Sequence, residues 1–298
     1  MQATVLTKYI TCICLSLWLA SSTNVGASNL WEEKQWGDGL SSLIDPDEVR
    51  WLPTLPQQTF CLYRETKLIE IQGGVILLHP PGGHPDWPHT IGELRKNLVN
   101  HGWHTLSMQM PVSESNLQQP DFERFYEDSA PRFDEAIKFF KNINVENIII
   151  VAQGVSGIIA SEYLARKDEP QWSVSGLILI SLPSYPKATN GLDGIKSIAQ
   201  LPVAILDIYA ENDAPLVIEH AALRRKAARE ASWQPRQFNL QLDLTPKVLQ
   251  LAYNHTGNLA YRQIKIEGAG PNFSSYSDKL VKVIRGWLAR YAAGTVIR

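Results

Sequence analysis

The residues best placed to do chemistry lie at 147–159, N-I-I-I-V-A-Q-G-V-S-G-I-I. A β-branched apolar run gives way to a sharp turn of small residues and then to the first turn of an apolar helix. Strand, tight turn and helix in that order lift the residue at the tip clear of the chain. In catalytic proteins that residue is a serine with small residues two places away on either side. Here Ala152 and Ser156 hold the flanking places, Gly154 holds the tip and Val155 follows it. Glycine has no atom with which to attack a carbonyl, so the segment keeps the setting of a nucleophile without the nucleophile. Ser156 falls inside the first helical turn, where a hydroxyl more readily serves packing or a backbone hydrogen bond. It and Ser107, in the run 105–108, are the alternative nucleophiles to weigh.

Other chemistry-bearing residues are fewer than their number suggests. Five of the seven histidines, His79, His84, His89, His101 and His104, lie close together with Asp86, yet their spacings match no zinc pattern. No metal site and no cofactor is expected. His255, in Tyr253-Asn254-His255, reads as a surface histidine. Asp213, in Y-A-E-N-D-A-P, stands just before a helix start, where a carboxylate can accept from orphan backbone N–H groups. The basic cluster Arg224, Arg225, Lys226 and Arg229 has the spacing of a solvated helix face.

The elements that must position these residues alternate. Apolar runs at 59–64, 67–72, 75–78, 105–108, 147–152, 176–181, 203–209 and 261–266 read as strands. Between them, Ile91, Leu94 and Leu98 mark an amphipathic helix ending near Gly102. Pro131 reads as the first residue of a helix that carries Phe133, Ala136, Ile137 and Phe140 on one face. Further helices follow the Gly154 turn, cover 216–230, and close the chain with Leu280, Val283, Ile284, Trp287, Leu288 and Tyr291. Alternating strands and helices imply an α/β fold with a mostly parallel central sheet and helices on both faces. Chemistry in such sheets lies at the carboxyl ends of the strands. Residues 28–58 lack periodicity and read as an irregular, Trp-rich arm with Trp31, Trp36 and Trp51; residues 182–201 read as a short lid excursion.

Of the 298 residues, 44% are hydrophobic and 19% charged, the profile of a globular domain with a substantial core. The formal charge of −2 argues against nucleic acid as a partner. The N-terminus has one positive charge, Lys8, then an apolar stretch over 9–20, then Val25-Gly26-Ala27 before Ser28. That is the pattern of a signal peptide over residues 1–27, cleaved after Ala27, with an apolar core too short to span a bilayer. Export to the periplasm is expected, with no transmembrane segment in the mature chain. Cleavage would leave Cys61 as the only cysteine and no internal disulfide.

The domain over 59–298 resembles the α/β-hydrolase fold, and more narrowly a bacterial exported α/β-hydrolase-like family of unknown function. The narrower likeness rests on L-L-H-P-P-G-G-H-P-D-W-P (77–88), G-W-H-T-L-S-M-Q-M-P (102–111), A-E-N-D-A-P (210–215) and G-W-L (286–288). The resemblance implies a triad in the order nucleophile, acid, histidine, which falls on Gly154, Asp213 and Pro271. Pro271 stands in G-A-G-P-N-F, where the histidine belongs. The resemblance also implies an oxyanion loop at His79, Gly82 and Gly83, paired with the amide of Val155, although Pro80 and Pro81 remove two N–H groups from that loop. Two triad positions fail independently. The implied function is a non-catalytic protein of the cell envelope that binds a small apolar or acyl ligand, a glycan fragment or an envelope protein. The alternatives are a hydrolase with a relocated nucleophile and a structural envelope component.

Overall fold

The computed structural model describes residues 29–112, 122–166, 174–186, 194–201, 203–230 and 261–292. The proposed signal peptide and His255 lie outside the described residues. Eight strands form one sheet: β1 (Val49–Leu52), β2 (Thr59–Arg64), β3 (Gly73–Leu78), β4 (Trp103–Met108), β5 (Ile148–Gln153), β6 (Val174–Ile180), β7 (Ala204–Ala210) and β8 (Tyr261–Ile266). Their order is β1-β2-β4-β3-β5-β6-β7-β8. β2 is antiparallel to both β1 and β4, and every pairing from β4 through β8 is parallel.

Strands buried on both sides explain the continuous apolar runs. Alternate residues feed two cores. Ile76, Leu78, Ile150 and Leu179 face one helix layer with Phe133 and Phe140. Val75, Leu77, Val151 and Ile180 face the other, where Ile91 and the closing helix's Ile284 and Leu288 pack against them.

The helices are α1 (Leu30–Ser41), α2 (Ile91–Leu98), α3 (Phe122–Asn142), α4 (Val155–Arg166), α5 (Ile195–Gln200), α6 (Pro215–Ile218), α7 (Ala221–Glu230) and α8 (Ser277–Tyr291). In α2, Ile91, Leu94 and Leu98 are all buried, as their spacing requires, and Gly102 closes the following turn at φ 83°.

Several expectations are corrected. Residues 28–58 contain α1 and β1 rather than an irregular arm. The only buried residues of α1 are Glu33 and Gly37, so it has no apolar stripe to reveal it. Glu33 forms a buried pair with Arg132 of α3 at 2.8 Å and accepts from the Val112 N–H at 3.1 Å. Residues 67–72 form no strand: β2 and β3 flank β4 on opposite sides, so the segment joining them crosses the foot of β4 as a loop. Its alternation leaves Leu68, Ile69 and Ile71 exposed. Pro131 lies inside α3 rather than at its start, because the buried stripe continues backward through Phe125 to Phe122. Residues 216–230 are divided between α6 and α7, and the excursion after β6 contains α5.

Candidate functional site

Gly154 sits between β5 and α4 at φ 63°, the left-handed conformation that glycine adopts without steric cost. Its N–H donates to the Ile180 carbonyl at 2.8 Å, which holds the turn against the end of β6. Among the described residues, a Cβ built on Gly154 would meet only Pro80 Cβ within 4 Å, at 3.5 Å. The tip is therefore a strand–turn–helix elbow with Pro80 in ordinary van der Waals range of a side chain placed on it. Val155 opens α4, where an amide has no carbonyl within the helix to which it can donate.

The loop after β3 lies beside this tip. Pro80 O accepts from the Gly83 N–H at 3.0 Å, closing a turn with Gly82 at φ 75°. Pro81 followed by a positive-φ glycine is the sequence chemistry of a type II turn. A Cβ on Gly83 would press on Pro80 O at 2.9 Å, so only glycine fits there without movement. Pro80 and Pro81 contribute no N–H to this loop, and the Gly83 amide is bound within it to Pro80 O.

His79 is fully buried. Its Nε2 accepts from the Met110 N–H at 2.9 Å, and its Nδ1 lies 2.8 Å from Pro80 O, so Nδ1 carries the proton. Burial drives its pKa down to about 3, leaving a neutral ring that joins the ends of β3 and β4. The Ser156 hydroxyl donates to the His79 carbonyl at 2.6 Å, and the Ser107 hydroxyl to the Pro85 carbonyl at 2.5 Å. Both serines are buried.

Asp213 follows β7. Its Oδ2 accepts from the Ser181 hydroxyl at 2.5 Å and the Ala210 N–H at 2.9 Å, and its Oδ1 from the Ala214 N–H at 2.9 Å. Pro271 lies exposed in the loop after β8. The loops after β7 and β8 are joined by the Asn212 N–H, which donates to the Ala269 carbonyl at 2.9 Å. Gly154, Asp213 and Pro271 thus occupy the same carboxyl end of the sheet, on the turns after β5, β7 and β8.

The remaining histidines are dispersed. His84 packs between Trp36 and Trp87, His104 meets the Tyr63 hydroxyl at 3.0 Å, and His101 lies 3.4 Å from Arg285. Among the described residues no group of three or more His, Cys, Asp or Glu is placed to hold a metal ion. Arg224 corrects the reading of its cluster: it is fully buried, and its Nε donates to Asp207 at 2.8 Å, while Arg225, Lys226 and Arg229 are exposed. Asp207 also accepts from Tyr261 at 2.7 Å and Gln263 at 2.9 Å. Sequence spacing had no signal for this network, because its members come from three separate elements.

The sheet order and the elbow define an α/β-hydrolase fold, and similar solved structures agree. A serine hydrolase homologue from Coxiella burnetii shares 14% identity at a TM-score of 0.56, covering 82% of this chain and 98% of its own. Est1E from Butyrivibrio proteoclasticus shares 12% at 0.57, again covering 82% and 98%. A putative dienelactone hydrolase from Klebsiella pneumoniae subsp. pneumoniae shares 14% at 0.57, with the same coverage. Identities this low show the fold alone. Residues 28–125 and 123–250 match the family described as protein of unknown function, DUF3530, and the chain belongs to that family. The comparison with curated proteins gives no match. Among the described residues no helix is long and apolar enough to cross a membrane.

Proposed function

We propose that this protein is a non-catalytic α/β-hydrolase-like protein, exported to the periplasm, that uses the region of the elbow to bind a small apolar or acyl ligand, a glycan fragment or another envelope protein. The observation that carries this reading is Gly154 at the elbow tip, at φ 63° and without the side chain a nucleophile needs. Support comes from the neighbouring groups. Ser156 and Ser107 are bound to carbonyls, His79 is neutral and bound at both nitrogens, and Pro271 stands where the family resemblance calls for the general base. A hydroxyl without a base is a poor nucleophile, and a leaving group without an acid departs slowly.

The test is hydrolysis of short-chain aryl esters together with native mass spectrometry of protein purified from its own periplasm. No turnover above a heat-denatured control and a retained adduct or partner is the expected result. Turnover that follows the protein through purification would overturn the reading. Intact mass of the exported chain, expected to begin at Ser28, tests the export assignment separately.

A further inference from the structure

Ser181 is one of four described non-glycine residues at positive φ, at 51°, and it lies at the end of β6 beside the elbow. Serine in this region is uncommon, and such conformations persist where the surroundings over-determine them. The surroundings here are specific. The Ser181 N–H donates to the Ile208 carbonyl at 2.8 Å, and its hydroxyl donates to Asp213 Oδ2 at 2.5 Å. Both Ser181 and Asp213 are buried. Three residues on, the Ser184 N–H donates to the Leu216 carbonyl at 3.1 Å, and Arg224 Nη1 donates to the Ser184 hydroxyl at 3.3 Å.

We propose that Ser181 commits the Asp213 carboxylate to a structural staple across the carboxyl ends of β6 and β7, fixing the turn that the Gly154 amide is bonded to. This rests on the non-catalytic reading only in taking Asp213 as the position of the triad acid. The carboxylate is then a structural group rather than a vacant seat for an imidazole. Oδ2 already has two donors and Oδ1 one, so a ring approaching from the β8 loop finds most of the acceptor capacity used. The positive φ of Ser181 is the conformation that brings its hydroxyl to the carboxylate.

The test is a double-mutant cycle with Ser181→Ala, Asp213→Asn and the pair, read by urea unfolding, with fluorophosphonate labelling of each folded protein. A hydrogen bond to a charged group predicts that Ser181→Ala lowers the folding constant about tenfold in the wild type and less than about threefold beside Asp213→Asn. Equal losses in the two backgrounds would overturn the staple. If Ser181→Ala does not fold, Ser181→Gly takes its place, since glycine removes the hydroxyl while easing the positive φ. The easing of φ is common to both backgrounds and cancels, so an equal effect of Ser181→Gly with and without Asp213→Asn would then overturn it. Labelling of another residue would sink the non-catalytic reading alone, and labelling of Ser181 would sink both.

Discussion

The hydroxyl of Ser156 donates to the carbonyl of His79 over 2.6 Å, joining the first turn of α4 to the loop after β3. The same histidine accepts from the Met110 amide and donates to the Pro80 carbonyl, so one residue ties together the ends of β3 and β4 and the start of α4. These bonds hold the elbow's surroundings in place. They also occupy the serine nearest its tip.

Burying neutral His79 makes stability depend on pH. Its folded pKa lies near 3 against an ordinary 6.5, so below 6.5 the unfolded chain binds a proton that the folded protein excludes. Stability from this residue is complete above 6.5 and is lost as pH falls toward 3. The slope is about 1.4 kcal/mol per pH unit within that window. Urea unfolding between about pH 6.5 and roughly 5 should show a shallower slope in His79→Gln than in the wild type. Parallel slopes would mean that the ring is accessible to protons in the folded state.

The buried Glu33–Arg132 pair fastens α1 to α3. Removing one partner strands the other charge, so Glu33→Ala should cost about 3–5 kcal/mol by urea unfolding. Replacing both by apolar residues of similar volume, Glu33→Leu with Arg132→Met, should cost less than the single change. A single-mutant loss under about 1 kcal/mol would show that solvent reaches Arg132 when α1 shifts.

The sheet, α2 and the elbow were legible because each depends on local pattern: continuous β-branched runs, Ile91, Leu94 and Leu98 at helical spacing, and small residues around Gly154. What was not legible depends on partners distant in sequence. Glu33 helps hold a helix because Arg132 and the Val112 amide, both far along the chain, meet its carboxylate. Arg224 looks like one of several surface cations until Asp207 is placed beneath it. Residues 67–72 have strand-like alternation but no vacant neighbour, since β4 already lies between β2 and β3. Pro131 is misleading because the apolar stripe of α3 outweighs the cost of a proline within a helix, about 3 kcal/mol. In the candidate site, the lack of a serine hydroxyl at the elbow tip and of an imidazole after β8 was plain in the sequence, whereas the Ser181 contact to Asp213 required the folded chain.

Gly154→Ser should fold and remain inert. The added side chain has room, with Pro80 Cβ at 3.5 Å from the new Cβ, but the positive φ should cost about 1–3 kcal/mol. Without an imidazole to take its proton, the new hydroxyl should neither hydrolyse aryl esters nor accept a fluorophosphonate. Urea unfolding and probe labelling of the same preparation check both statements. Labelling of the introduced hydroxyl would reveal a base within reach of the tip.

The most direct measurement is intact mass of the wild-type protein after incubation with excess fluorophosphonate, beside an active serine hydrolase as a positive control. A non-catalytic elbow predicts an unchanged mass while the control shifts by one phosphonyl group. A stoichiometric shift in the folded wild-type protein, absent after heat denaturation, would contradict the account and locate the nucleophile it denies.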